Sequence, residues 1–230
     1  MNLTWAIGGA LVGLVAGTGL RRPVYRLSVR ADEPERELCP YCGERLRLLR
    51  GCCGRRLGAP VLPELVTATV LALVAARFAG QVDAVVFAFL GVLGVALATI
   101  DIAVERLPDR LTLPAYPVVA VLLGVTALVH GDFSALLRAF LGCVALAGGY
   151  LLLALLRPGQ LGAGDVKLAG VLGLALGWLG WPTLALGAAL AFVLSAVVSL
   201  ALLAARRITL RDAICFGPFM LAGALVAVLL

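Results

Sequence analysis

From Leu168 to Ala205 the chain reads LAGVLGLALGWLGWPTLALGAALAFVLSAVVSLALLAA, a stretch without a single charged residue. A helix needs about 20 apolar residues to cross the hydrocarbon core of a bilayer, so this stretch has room for two crossings. Trp181-Pro182 interrupts it, which predicts the break between the two helices, because proline disfavours helix in the residue before it. The whole chain is 62% hydrophobic and 14% charged, and a water-soluble domain could not cover so much apolar surface. The sequence therefore predicts an integral membrane protein.

Six other apolar stretches predict further membrane helices, although two of them contain an acid, Glu64 or Asp101. They run from Leu3 to Leu20, Ala59 to Ala76, Ala84 to Ala103, Leu111 to Val129, Ala139 to Leu156 and Ala213 to Leu230. Together the spans predict an all-α protein, a polytopic membrane helical bundle of about eight transmembrane helices. The predicted organisation is a first transmembrane helix at 1–20, a basic loop at 21–58 and a seven-helix membrane core at 59–230.

The basic residues predict the orientation, because Lys and Arg are retained in cytoplasmic loops. Ten of the 19 lie between Arg21 and Arg56 and seven more fall in alternate later loops, while Arg77 and Arg138 depart from the pattern. This distribution places both termini outside and the loop at 21–58 in the cytoplasm. A pI near 9.3 would also fit a nucleic-acid partner, but the charges are spread over membrane loops rather than gathered on one face. The expected partner is the lipid bilayer, with no nucleic acid.

Four of the six cysteines lie in the basic loop, as Cys39-Pro-Tyr-Cys42 and the adjacent Cys52-Cys53. Thiolates select zinc and the cytoplasm keeps disulfides open, so a zinc knuckle is one prediction for these cysteines. The second pair is irregular, because Arg50 occupies the position three residues before Cys53. A set of free thiols is the alternative.

Asp101 and Asp165 are acids at predicted membrane helix ends, where a carboxylate is costly to insert. Each has an ordinary structural explanation. Asp165 could be the N-cap of the helix that follows it, and Asp101 could snorkel and pair with Arg106 or Arg110. Both are predicted at the cytoplasmic face, however, where they could meet across a bundle. Two facing carboxylates share a proton, so that one activates water while the other polarises a peptide carbonyl, with no need of a nucleophile or metal.

Other catalytic arrangements find little support in the sequence. The single histidine, His130, is predicted in an outer loop and no His-Glu-x-x-His is present, so neither Ser-His-Asp nor zincin chemistry fits. Glu64 lies about one turn into its helix and is predicted to be structural, holding an Arg or a helix terminus. Lys167 is a cation in the first turn of a helix, where it opposes the macrodipole and needs compensation from Asp165 or from the substrate.

These residues resemble the type IV prepilin peptidases, a family of intramembrane aspartic peptidases, over nearly the whole chain. Four motifs in order carry the resemblance: Val24-Tyr-Arg-Leu27, Ile100-Asp-Ile-Ala-Val-Glu-Arg-Leu-Pro-Asp-Arg-Leu-Thr-Leu-Pro114, Gly162-Ala-Gly-Asp-Val-Lys-Leu168 and Phe216-Gly-Pro-Phe219. The motif around Asp101 resembles the first aspartate motif of the family. The motif around Asp165 resembles its Gly-x-Gly-Asp motif, with a lysine two residues on.

The resemblance implies that Asp101 and Asp165 are the catalytic pair of a prepilin peptidase in the bacterial cytoplasmic membrane. The substrate would be a prepilin or pseudopilin, whose short basic leader is cut after a glycine at the cytoplasmic membrane face, and no cofactor would be required. Residues around the two aspartates would support the site or bind substrate: Gly162, Gly164, Lys167, Pro108 and Asp109.

Two departures from the family pattern concern supporting functions. Members often carry a second acid two residues after the first catalytic aspartate, where this chain has Ala103. Nine residues separate Cys42 from Cys52, a shorter stretch than in bifunctional members, which also methylate the new N-terminus with S-adenosylmethionine. The shortening argues against methylation by this chain.

Two alternatives come from other classes of protein. A transporter or channel could use the same two acids to carry protons or cations through the bundle, although the order of the motifs argues against it. A non-catalytic membrane scaffold with a zinc knuckle would need neither aspartate. A test of leader cleavage in reconstituted membranes distinguishes these two alternatives from a peptidase, because only a peptidase would cut a pilin-like leader.

Overall fold

The computed structural model describes residues 2–30, 33–46, 53, 61–156, 161–207, 209 and 215–230. The chain divides into two compact units, Met1–Arg106 (unit 1) and Leu107–Leu230 (unit 2). Unit 1 contains the helices α1 (Leu3–Leu27), α2 (Leu62–Arg77) and α3 (Asp83–Val104). Unit 2 contains α4 (Asp109–His130), α5 (Phe133–Leu156), α6 (Ala163–Leu179), α7 (Trp181–Ala204) and α8 (Gly217–Leu229). The predicted all-α class is confirmed for the described residues.

Five of these helices (α1, α3, α4, α5 and α7) are long and apolar enough to cross a membrane, judged by length and composition. The shorter α8 is also apolar. Helices α2 and α6 have 16 and 17 residues, slightly fewer than the roughly 20 that a straight crossing needs. The prediction of a multi-pass membrane protein is confirmed, while eight crossings and external termini stay predictions.

Gly180 separates α6 from α7 at the predicted break. Its φ of +146° lies in the region that favours glycine, and its N–H donates to the carbonyl of Leu176 at 3.0 Å. Pro182 then occupies the first turn of α7, where a missing N–H costs nothing. Helix α1 differs from its prediction, because it continues past Leu20 to Leu27.

Glycines allow α1 to approach the backbone of α2 closely. Gly9, Gly13 and Gly17 are spaced four residues apart and share one face of α1. A Cβ at Gly13 would lie 2.5 Å from the Cα of Ala68, and one at Gly17 would lie 2.6 Å from the Cα of Glu64. Small residues of this kind are typical of helix contacts in membranes, where backbones gain dispersion energy by close packing.

A buried ion pair closes this interface at the end where α1 extends beyond its predicted limit. The Nε of Arg21 donates to Oε1 of Glu64 at 2.5 Å and a terminal nitrogen donates to Oε2 at 2.7 Å. The two side chains are 7% and 9% exposed. Of the two partners predicted for Glu64, an Arg or a helix terminus, the structure shows the Arg.

Helix α6 is the buried centre of unit 2, with the side chains from Leu168 to Trp178 all buried. It touches α5 through glycine backbones, since a Cβ at Gly142 would lie 2.6 Å from the carbonyl oxygen of Gly173. Unit 2 is therefore assembled around the helix that begins with the Gly-x-Gly-Asp motif. The other helices of the unit position the side chains at its start.

The two basic residues that depart from the charge pattern have local partners. Arg138 of α5 donates to the carbonyls of Gly177 (2.9 Å) and Trp178 (2.8 Å) at the C-terminal end of α6. A cation there satisfies orphan carbonyls and interacts favourably with the helix dipole. Arg77 ends α2 and stacks its guanidinium over the ring of Phe78, 5.3 Å from the centroid. Both arginines thus have a local role at a helix end.

Candidate active site

Asp101 lies in the last turn of α3, in unit 1. Its side chain is only 5% exposed, which does not fit an acid that snorkels into the aqueous phase. Arg106, a partner considered from the sequence, instead donates to the carbonyl of Arg30 at 3.2 Å. Helix α3 ends at Val104, and Glu105 caps it with a φ of +53° and an N–H that donates to the carbonyl of Asp101 at 2.7 Å. The sequence correctly predicted an acid close to a helix end, but this acid is buried.

Pro108 begins the proline-marked turn in unit 2 and caps α4. Its ψ of 128° is extended, and its carbonyl accepts from both the amide and the hydroxyl of Thr112, at 3.1 and 3.2 Å. Proline is well suited to this place, because its fixed φ is compatible with a helix start and no N–H is lost. Asp109 is consequently the first residue of α4, at the end of the helix where an acid is favoured by the dipole.

Asp165 lies in the first turn of α6 and is 8% exposed. The N-cap is Gly162, not Asp165, so the structural alternative considered from the sequence was wrong about the position. The Asp165 N–H donates to the carbonyl of Gly162 at 3.0 Å, and the Gly162 N–H donates back to Oδ2 of Asp165 at 3.1 Å. The second bond is the N3 side-chain half of a capping box; glycine has no side chain to supply the other half, and its backbone carbonyl accepts the N3 amide instead. One carboxylate oxygen thus orients the side chain at the helix start.

The motif glycines give α6 its close approach to neighbouring groups. A Cβ at Gly164 would lie 2.9 Å from the Cβ of Leu107, the residue before Pro108. In the same unit, the ring of Tyr150 of α5 packs with that of Phe192 of α7 at a centroid distance of 5.6 Å.

Lys167 forms an ion pair with Asp109, with Nζ 2.6 Å from Oδ1. The compensation that this cation needs comes from the start of α4 rather than from Asp165. Tyr116 makes a second contact to the same residue, because its hydroxyl donates to the Lys167 carbonyl at 2.7 Å. The structure thus brings Asp109, Tyr116 and Lys167 together beside Asp165.

Tyr116 was missed by the sequence analysis, although a signal for it was present. It lies seven residues after Asp109, two helical turns away, and so shares a face of α4 with that acid. Once Asp109 is assigned to a motif, the residue two turns along the same face becomes a candidate contact to the same partner.

Of the predicted site residues, Pro108, Asp109, Gly162, Gly164, Asp165 and Lys167 lie in unit 2, and Asp101 lies in unit 1. Within unit 2 they form one neighbourhood at the adjoining starts of α4 and α6. The pairing of the Asp101 and Asp165 carboxylates stays a prediction.

Cys39, Cys42 and Cys53 come together in the basic loop, with their sulfur atoms all within 4.8 Å of one another. Cys39 and Cys42 flank a tight turn, in which the N–H of Gly43 donates to the carbonyl of Cys39 at 3.0 Å and Gly43 has a φ of +71°. Cys52, the fourth predicted ligand, lies outside the described residues.

The spacing of these sulfurs fits a metal better than a disulfide. The Cys39 and Cys53 sulfurs are 3.7 Å apart, far beyond a disulfide bond of about 2.05 Å. A tetrahedron with Zn–S bonds of about 2.3 Å has edges of about 3.8 Å. The three thiols could therefore supply three ligands to one metal ion, and a structural zinc ion would take a fourth.

The profile of the Type IV leader peptidase family matches residues 85–204, a segment that contains every predicted site residue from Asp101 to Lys167. The chain belongs to this family. The match confirms the resemblance predicted from the motifs and makes the chain a peptidase, a hydrolase. The cysteine loop precedes the matched segment.

The relatives are similar over nearly the full chain. A prepilin leader peptidase/N-methyltransferase of Burkholderia pseudomallei is 31% identical over 97% of this chain and 84% of its own length. That of another strain is 34% identical over 82% of this chain and 65% of its own length, and that of Pseudomonas putida is 29% identical over 95% and 88%. No solved structure matches the chain. These relationships favour the peptidase over the transporter alternative.

Proposed function

We propose that this chain is an intramembrane aspartic endopeptidase of the bacterial inner membrane, which cleaves the basic leader of type IV prepilins or pseudopilins at the cytoplasmic face. The observation that carries the proposal is the buried carboxylate of Asp165, oriented at the start of α6 by the amide of Gly162. Membership of the leader peptidase family gives that carboxylate its chemical context.

In the proposed mechanism Asp101 and Asp165 share one proton. The ionised carboxylate takes a proton from water, which attacks the scissile carbonyl, while the protonated carboxyl donates to the carbonyl oxygen. As the tetrahedral intermediate collapses, the proton taken from water passes to the leaving amine, and a hydroxyl proton of the intermediate returns to the other carboxylate, which restores the shared proton. Gly162 orients Asp165 directly. Pro108, Asp109, Gly164 and Lys167 support the site by fixing the starts of α4 and α6.

Cleavage by Asn variants in vesicles tests the pair. Asp165→Asn can still accept the Gly162 N–H bond, so the start of α6 should be retained while the titrating group is lost. We expect Asp101→Asn and Asp165→Asn each to abolish release of the leader from a type IV prepilin reconstituted with the protein. Near-normal cutting by either variant would remove that aspartate from the mechanism.

Asp132→Asn is the matched control for these variants. Asp132 also accepts a backbone amide at a helix start, from Ala135 of α5 at 2.9 Å, but it belongs to no proposed catalytic or binding group. Cleavage should remain near normal in this control. If the unaltered protein left every prepilin leader intact, the transporter and scaffold alternatives would replace the peptidase.

We propose that this chain removes the leader of the prepilin but does not methylate the new N-terminus. The relatives are named N-methyltransferases, but the short stretch between Cys42 and Cys52 departs from the pattern of bifunctional members. Mass spectrometry of the new N-terminus, after cleavage with S-adenosylmethionine supplied, should show the unmodified amine. A product heavier by one methyl group would refute this proposal and leave the peptidase proposal unaffected.

We further propose that Cys39, Cys42 and Cys53 hold one structural zinc ion per chain, which would fasten the turn at Cys39 to the segment at Cys53. Elemental analysis of the purified protein should find the metal. The combined change Cys39→Ser and Cys42→Ser should remove it, whereas Cys143→Ser in α5 should retain it. Metal-free protein of full stability would leave the free-thiol alternative.

A further inference from the structure

We propose that Tyr116 is a positioning residue for peptide cleavage, because its hydroxyl bonds the backbone of α6 just beyond the first turn, two residues after Asp165, and thereby helps to place the carboxylate of Asp165. The inference rests on the proposed peptidase function and deepens it. It concerns contacts within unit 2 alone.

The contact is made to the backbone of α6 and not to a side chain. The Tyr116 hydroxyl donates to the Lys167 carbonyl at 2.7 Å, two residues after Asp165. Gly170 makes room for the ring, because a Cβ at Gly170 would overlap the hydroxyl oxygen and would lie 2.9 Å from Cζ. The position of α6 along and around its axis is therefore coupled to the position of one phenol group.

Other contacts also restrain this helix start, and the ion pair among them is exposed to water. The Lys167 to Asp109 ion pair has side-chain exposures of 35% and 55%, and ion pairs this exposed contribute little because water screens them. The Gly162 amide holds one oxygen of Asp165 at 3.1 Å, and Gly164 packs closely against Leu107, but both contacts act within or before the first turn of α6. The half-buried Tyr116 bond adds a hydrogen bond from α4 to the α6 backbone just beyond that turn, where the exposed ion pair alone would restrain the helix only weakly.

Helix α4 also needs a restraint in the turn that carries Tyr116. Pro114 and Pro117 lie inside α4 on either side of Tyr116, and each proline removes an amide donor from the helix. The turn that carries Tyr116 is consequently held less firmly by its own backbone than a regular turn. A bond from Tyr116 to α6 therefore restrains α4 between its two prolines as well as the backbone of α6 at Lys167.

If the carboxylate of Asp165 is held less firmly, the cleavage step should slow more than prepilin binding weakens. Catalytic groups must be held close to their productive geometry, and small misplacements reduce turnover strongly. Tyr116→Phe removes only the hydroxyl and keeps the ring. We therefore expect kcat for leader release to fall by about fivefold to tenfold, the effect of losing one neutral hydrogen bond, with KM for the prepilin unchanged.

Thr126→Val is the matched control for this change. Thr126 is a buried hydroxyl on the same helix, but it donates within α4, to the carbonyl of Leu122 at 2.9 Å. We expect Thr126→Val to leave kcat near normal even if the melting temperature falls. Equal kcat in Tyr116→Phe and the parent protein would overturn the proposal, and so would a kcat loss in Thr126→Val as large as that in Tyr116→Phe.

Another variant keeps the proposal testable if Tyr116→Phe folds poorly. Gly170→Ala retains the hydroxyl but forces it away from α6, so it should reproduce the kcat loss. Gly124→Ala is its control, because nothing lies within 4 Å of a Cβ there. Full activity of Gly170→Ala would also overturn the proposal. Failure of the parent protein to cleave would instead count against the peptidase function, so the two failures can be told apart.

Discussion

Replacing Glu64 by Gln isolates the energetic role of the buried ion pair in unit 1. Glutamine keeps the size of the side chain but removes the charge, so the guanidinium of Arg21 is left without its counterion in a site where it is only 7% exposed. Removing one partner of a buried pair typically costs about 3 to 5 kcal/mol, because the remaining charge stays desolvated. We expect a loss of this size in the free energy of unfolding.

Asp109→Asn provides the comparison, because it removes the acid of the exposed pair with Lys167. The same chemical change there should cost at most about 1 kcal/mol, since the partner side chains are 35% and 55% exposed. Unfolding of both variants in mixed micelles, followed by helical circular dichroism, measures the difference directly.

Rescue by an additional substitution distinguishes a stranded charge from lost packing. In Glu64→Leu combined with Arg21→Met neither charge remains, so the stability should return close to that of the parent. Turnover per folded molecule should be near normal in the rescued protein, because neither residue belongs to the proposed site. A loss below about 1 kcal/mol for Glu64→Gln, or a double variant as unstable as the single one, would refute the reasoning.

Three further predictions follow from the helix ends and the charge pattern. Arg138→Ala should lower the free energy of unfolding by about 1 to 2 kcal/mol, measured in the same micelles, because two carbonyls at the end of α6 lose a cationic donor. The pKa of Asp132 is lowered from its ordinary 3.8 by the hydrogen bond from Ser134 and by a backbone amide, so its cap stabilises the fold at neutral pH and this contribution is lost as the pH falls through the lowered pKa. Melting curves between neutral pH and about pH 3 should show a weaker pH dependence in Asp132→Asn than in the parent. Reporter fusions at Leu230 should be external and fusions between Arg30 and Arg50 cytoplasmic, and a cytoplasmic C-terminus would contradict the count of eight crossings.

The helices and the residue types of the site could be predicted because the signals for them are local. Apolar runs, the Trp181-Pro182 break and the glycines before Asp165 each act within a few residues of the backbone they shape. The predicted positions of the helix ends were less accurate. Helix α1 continues past Leu20, where Arg21 forms an ion pair with Glu64 of α2. A contact to another helix cannot be read from the local sequence.

The sequence by itself determined that this protein is a helical membrane protein of the leader peptidase family, with acids at two helix ends. Only the tertiary structure decided which groups meet. Glu64 was expected to hold an arginine or a helix terminus, but the choice of Arg21, 43 positions away, depends on the glycine face of α1. Lys167 pairs with Asp109 rather than Asp165, and Tyr116 reaches the Lys167 backbone across 51 positions. Such pairings depend on how each helix is rotated and how closely it packs, which is set by all its neighbours together and not by the residues beside it in the chain.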